Sequence, residues 1–156
     1  MDVLSDVLRT IRLEGALFHY GEFREPWCVE AVSGVELAKG LRRGGRPLAV
    51  VHVILEGRCW VEVNGSPRTQ LEAGDVVVIP HGDSHIFGQG PHRIPVPVDD
   101  LVEKVVDELT MVQHGGTGVR TIIVCGWLAF ERELANPLIA ALPRVFSTSL
   151  GARPAG

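Results

Sequence analysis

Three side chains stand out by type and setting as able to do chemistry: His52, His85 and Cys125. His85 closes the run GDVVVIPHGDSH at residues 74–85, where Gly74, Pro80, Gly82 and His85 mark out a strand and a turn. Gly74-Asp75 opens the strand, and residues 76–79 are a β-prone apolar run. Pro80 ends the ladder because it has no N–H to give. Gly82 permits a turn that a Cβ would hinder, so His85 begins the next strand, aimed by that turn. His52 lies in LAVVHVIL, where alternation places Val50, His52 and Ile54 on one strand face. Cys125 lies in IIVCGW. With Asp83 nearby, these residues offer nitrogen, oxygen and sulfur donors of the kind Zn²⁺, a divalent transition metal, takes in tetrahedral geometry. The metal set so read is His52, Asp83, His85 and Cys125, and the ligand-contacting set is His52, His85 and Trp60.

The same residues admit a plainer reading. A buried histidine is most often a hydrogen-bonded core residue, and a free cysteine a small core hydrophobe. Ligands drawn from three separate strands share no local metal motif. Both readings stay open at this point. No Ser-His-Asp arrangement, P-loop or GxGxxG is visible. Glu56 reads as a solvated strand end, Asp99 and Asp100 as helix caps, and His81 as a solvent-facing turn residue. His19, His92 and His114 lie in segments that assign them no role.

The elements that must position these groups are mostly strands. ALFHYGEF, WCVEAV, PLAVVHVIL, CWVEVNG, DVVVIP and HIFG are short runs punctuated by Gly, Pro and Asn, which suggests a sandwich or barrel. Asn64-Gly65 is a hairpin signal. Residues 2–13 form an amphipathic helix, with Val3, Leu4, Val7, Leu8 and Ile11 at helical spacing. Residues 88–118 break the rhythm and read as an insertion: a Pro/Gly-rich loop, a short helix over DDLVEKVVDEL capped by Asp99 or Asp100, then the flexible turn HGGTG. Its two readings are a lid over a pocket and a loop without a role. RTIIVCGWLAF is a late buried strand. Asn136-Pro137 opens a helix whose apolar face is Leu138, Ile139, Leu142 and Val145.

A chain of 156 residues fits one domain. Its net charge of -4 and pI near 5.8 argue against a nucleic-acid-binding surface. No apolar run approaches a membrane span, and the acidic N-terminus is not a signal peptide. Cys28, Cys59 and Cys125 form no CxxC pattern, which suits a reduced, cytoplasmic protein.

VILEG, followed by the Gly74/Pro80/Gly82/His85 spacing, resembles the cupin superfamily of small β-barrels. The resemblance implies a mainly β fold: a double-stranded β-helix, or jelly-roll barrel, with flanking short α-helices. The family's first motif is degenerate here. Counting back from Gly57 puts Val50 where cupin enzymes carry a Glu, and residues 43–46, between Arg43 and Arg46, hold no histidine. Gln89 stands where the second motif often has Asn. Three of the four usual metal ligands are therefore missing.

The opening DVLSDVLRTIRLEGALF, then VHVILEGRCWVEVNG, LEAGDVVVIPHGDSHIF, a variable insertion, TIIVCGWLAF and NPLIAALPRVF together resemble the N-terminal cupin-like domain of AraC-type transcription regulators. That resemblance implies a non-catalytic regulatory domain over 1–148 and the start of a linker over 149–156. It implies a small-molecule effector and a homodimer, with the apolar faces of 99–110 and 136–146 as candidate dimer surfaces. DNA is expected to be met only through a C-terminal helix-turn-helix domain that this chain lacks. The alternative is a small metal-dependent cupin enzyme, of dioxygenase or isomerase type, with His52, His85 and Cys125 on the metal.

Overall fold

Apolar side chains alternate along most of the strands and decide which face each turns inward. The computed structural model describes residues 14–41, 48–129, 137 and 140–150. In chain order the elements are β1 (Glu14–Arg24), β2 (Trp27–Ala31), the helix α1 (Gly34–Gly40), β3 (Ala49–Glu56), β4 (Arg58–Val63), β5 (Thr69–Glu72), β6 (Asp75–Ile79), β7 (His85–Gln89) and β8 (Val96–Pro97). A 3-10 turn at Val98–Leu101 leads to β9 (Val102–Val106), β10 (Leu109–Gly115), β11 (Arg120–Ala129) and β12 (Phe146–Ser149).

Two sheets result. One has the order β12-β6-β3-β11-β1-β10-β9 and the other β5-β4-β7-β2-β8. Val50, Ile54, Val77, Ile79 and Ile123 from the first sheet meet Val29, Val61, Val63 and Phe87 from the second in one core. Mainly β and built of two sheets packed on one core, the fold is of the expected class. The β4–β5 hairpin turns at Asn64 and Gly65, both at positive φ, as the Asn-Gly signal requires.

The 88–118 stretch differs from expectation. Residues 99–110 form no α-helix, and neither Asp99 nor Asp100 is a cap: a single 3-10 turn over Val98–Leu101, preceded by Pro97, leads into β9, which pairs antiparallel with β10. Val102, Val105 and Val106 favour extended backbone. Asp107 and Glu108 both take positive φ, giving the two-residue turn that closes the hairpin. HGGTG is tied down rather than loose, because Gly116 N–H donates to Arg24 O and Gly118 N–H to Glu25 O, each at 2.9 Å. The helix α1 was not anticipated; Ser33 caps it by accepting from Glu36 N–H. The expected helix at 2–13 lies outside the described residues. Of the one at 136–146, Pro137, Ala140 and Ala141 are helical, and the chain has left the helix by Leu142. Ser149 ends β12 opposite Asp75, and Leu150 N–H donates to Gly74 O at 2.7 Å.

Candidate functional site

Strand register brings three polar side chains side by side. His19 on β1 faces Cys125 on β11, and Cys125 faces His52 on β3. Residues directly opposite in a ladder share a sheet face. Here that face is the interior, because Phe23, Ile54 and Ile123 on the same strand faces belong to the core. His85 reaches them from the second sheet, where it opens β7 opposite Ala31 and Val63. Gly82, at φ +71, makes the turn that sets this start, and Pro80 ends the strand before it.

The contacts form a chain with one direction. His85 Nδ1 lies 2.8 Å from the backbone O of Asp83. A carbonyl only accepts, so His85 Nδ1 carries the hydrogen. In neutral His85 the other nitrogen, Nε2, is then an acceptor, and His52 Nε2 lies 2.7 Å from it. His52 Nε2 must therefore donate. His52 Nδ1 is left to accept from the Cys125 thiol, whose Sγ is 2.8 Å away. Cys125 donates to His52, His52 to His85, and His85 to Asp83 O. Every donor and acceptor is used once, which is what makes two buried imidazoles tolerable in this core.

Electrostatics keep the chain neutral. Burial holds His52 well below the ordinary histidine value, and the neighbouring His85 and then His19 push it the same way. Burial also lowers His85, opposed by its bond to the Asp83 carbonyl and by the Asp83 charge. Burial pushes the Cys125 thiol far up and the Cys59 thiol to about 12. Cys125 is thus a hydrogen-bond donor to His52, not an activated thiolate.

His19 is the member that sequence reasoning passed over. Both its ring nitrogens are buried without a hydrogen-bond partner among the described residues. Asp99 Oδ1 is 3.6 Å from Nε2, too far for a hydrogen bond though close enough to pull the histidine upward against the stronger effect of burial. His19, His52 and Cys125 share the wall of a small cavity of about 20 Å³ with Phe18, Phe87 and Val98.

The other expected residues are placed elsewhere. Asp83 turns its carboxylate to Arg144, at 2.7 Å, and contributes only its carbonyl to the chain. Trp60 aligns with Gly88, whereas its neighbour Val61 aligns with inward Phe87. The indole therefore lies on the outer face, so close over Gly88 that a Cβ there would come within 2.4 Å of it. The Arg68 guanidinium covers the ring at 3.7 Å. His81, read as solvent-facing, is half-buried and its Nε2 lies 2.9 Å from Leu142 O.

A shared metal ion needs donors that converge on one point at about 2.0–2.3 Å. Cys125 and His85 instead meet opposite nitrogens of the His52 ring, and the Asp83 carboxylate faces Arg144. Among the described residues no three of His, Cys, Asp or Glu are disposed to hold a metal. The Zn²⁺ set of His52, Asp83, His85 and Cys125 does not fit such a centre.

A cupin family model matches residues 2–155. The chain belongs to the cupin family. No curated protein matches it. Among solved structures, this cupin is similar to YhaK from Escherichia coli, at 11% identity and TM-score 0.45, over 91% of this chain and 46% of that one. It is also similar to unsaturated-fatty-acid-bound wild-type ToxT from Vibrio cholerae strain SCE256, at 8% identity and TM-score 0.41, over 89% of this chain and 41% of that one. The cupin chain thus spans less than half the length of either. Among the described residues no helix is long and apolar enough to cross a membrane.

Proposed function

We propose that this cupin is a non-catalytic sensory domain of an AraC-type regulator, taking a small effector in its interior, pairing with a second copy and acting on DNA through a helix-turn-helix half outside this chain. The observation that carries the reading is His19: a buried imidazole with no hydrogen bond among the described residues, only a 3.6 Å approach to Asp99, whose ring lines a mostly apolar cavity. Recognition sites are built in this way, with apolar walls and a few polar groups that fix orientation. The remaining polar atoms support it. His52, His85 and Cys125 satisfy one another, and a thiol raised by burial offers no nucleophile. The resemblance of five sequence segments to AraC-type sensory domains supports the regulatory assignment.

In the closed form the cavity has room for one water. A larger effector enters by displacing the segment that carries Val98 and Asp99. Its ladder contact to β2 is two residue pairs, Val29 with Val96 and Glu30 with Pro97. The effector's polar group replaces Asp99 beside His19, and the displaced segment carries the change to β9 and β10 at the sheet edge. Effector binding then shifts the balance between two arrangements of that edge.

A thermal-shift screen of small amphipathic molecules tests this with the wild type and His19→Leu. The reading expects a compound that raises the wild-type Tm by several degrees and leaves the variant unmoved. A compound that stabilises both equally contradicts it. So does purified protein that holds stoichiometric metal and loses both metal and turnover in His85→Ala, the outcome of the enzyme reading.

A further inference from the structure

A second concave site lies at the surface between the loop before β8 and the HGGTG turn. It is a groove of about 530 Å³, within the range of small-molecule sites. Its charged and polar side chains are His92, Arg93 and His114, its apolar ones include Ile94 and Val96, and no carboxylate lines it. Arg93, His92 and His114 have no hydrogen bond or ion pair among the described residues. Ile94 is 82% exposed, the most exposed large apolar side chain among the described residues.

Trp27 forms part of the same wall. It is 1% exposed and stacked on Phe23 with ring centroids 4.5 Å apart. Its indole N–H is buried without a partner. A buried donor left unpaired is unfavourable, so the fold keeps it at a cost that an acceptor would relieve. The groove is also preformed on one side. Hydrogen bonds from Gly116 to Arg24 and from Gly118 to Glu25, with Glu25 N–H donating to Val119 O at 3.0 Å, hold the HGGTG turn against the β1–β2 corner. Behind His114 the charges are balanced, since Glu22 lies 3.8 Å from Arg24 and 3.5 Å from Arg120.

We propose that this groove binds a small organic oxyanion with a flat apolar body. Arg93 takes the carboxylate or phosphate head in a two-pronged contact, with His92 and His114 adding donors. Trp27 N–H gives a hydrogen bond to an acceptor at the base of the groove, while Ile94 and Val96 cover the body. The site is separate from the His19 cavity, with which it shares no lining residue, and it stands whether or not the interior takes an effector.

Titration calorimetry on the full chain with 2-naphthoate, 2-naphthyl phosphate and the neutral 2-naphthamide tests the proposal. At least one anion is expected to bind saturably, and at least ten-fold more tightly than the amide. Arg93→Glu, at an exposed position, is expected to weaken that anion at least ten-fold with an unchanged Tm. Trp27→Phe, which keeps the stacked ring and removes the N–H, is expected to weaken it several-fold. The tighter of the two anions names the head group. Equal binding of anion and amide, indifference to Arg93→Glu, or no saturable binding of either anion overturns the proposal. His19→Leu distinguishes the two sites, because it is expected to leave naphthyl anion binding intact.

Discussion

His52 Nε2 and His85 Nε2 lie 2.7 Å apart, and one hydrogen is shared between them, supplied by His52. The assignment follows from the far end of the chain, where the Asp83 carbonyl can only accept. It makes the interior a neutral hydrogen-bonded structure, with donors and acceptors of His52 and His85 already spent, and leaves His19 beside it without a hydrogen bond among the described residues.

Removing one end of this chain strands the rest. His85→Ala leaves His52 Nε2–H buried without an acceptor, which costs about 1–3 kcal/mol before the lost packing is counted. Asp83→Asn keeps the carbonyl and loses only a surface ion pair with the largely exposed Arg144, at a cost of less than about 1 kcal/mol. Urea unfolding of the two variants should separate them clearly. Equal losses would mean that the Asp83 carboxylate has a role in the interior.

Acid should weaken the fold. His52 and His85 are lowered from 6.5 by burial, so the unfolded chain binds their protons first as pH falls. Their contribution is complete above about pH 6.5 and is lost progressively below it, at no more than about 1.4 kcal/mol per pH unit for each histidine. Denaturation midpoints measured from pH 8 to pH 5 should be flat at first and then decline. The decline should shrink in His52→Gln.

The thiols should be silent in the native state. Burial raises Cys28, Cys59 and Cys125 alike. A disulfide reagent at pH 8 is expected to modify all three within seconds in denaturant, and none on that timescale in the folded protein. Rapid labelling of Cys125 in the native protein would point to an activated thiolate beside His52.

His19→Leu should not destabilise the protein. It exchanges two buried nitrogens without a hydrogen bond, one of them 3.6 Å from Asp99, for a side chain that suits Phe18, Phe87 and Val98, and a gain of up to about 1 kcal/mol is expected. A stabilising change that abolishes effector response marks a residue kept for binding. A loss above 1 kcal/mol in urea unfolding would show that His19 has a structural partner.

Much of this interior was legible in the residues. Alternation put His52 on one strand face with Val50 and Ile54, the face that turns inward, and the Pro80-Gly82 turn set His85 at the start of its strand. Why Cys125 meets His52 depends on which strands pair, and that is set by the assembled sheet. His19 was invisible for the same reason: only the pairing of β1 with β11 makes it the neighbour of Cys125. Trp60 was open to a better reading, since Cys59, Val61 and Val63 all point inward and alternation then turns Trp60 outward. Residues 99–110 misled because their acidic and apolar spacing mimics a helix. The β-branched valines and the left-handed Asp107 and Glu108 favour a hairpin instead.

The direct test of the neutral interior is nitrogen-15 NMR of the histidines at pH 7.5, with and without added Zn²⁺. The account predicts His85 protonated at Nδ1 alone and His52 at Nε2 alone, with neither spectrum changed by stoichiometric Zn²⁺. A charged imidazole at either position, the opposite tautomer of His52, or a metal-bound nitrogen shared by His52 and His85 would contradict it.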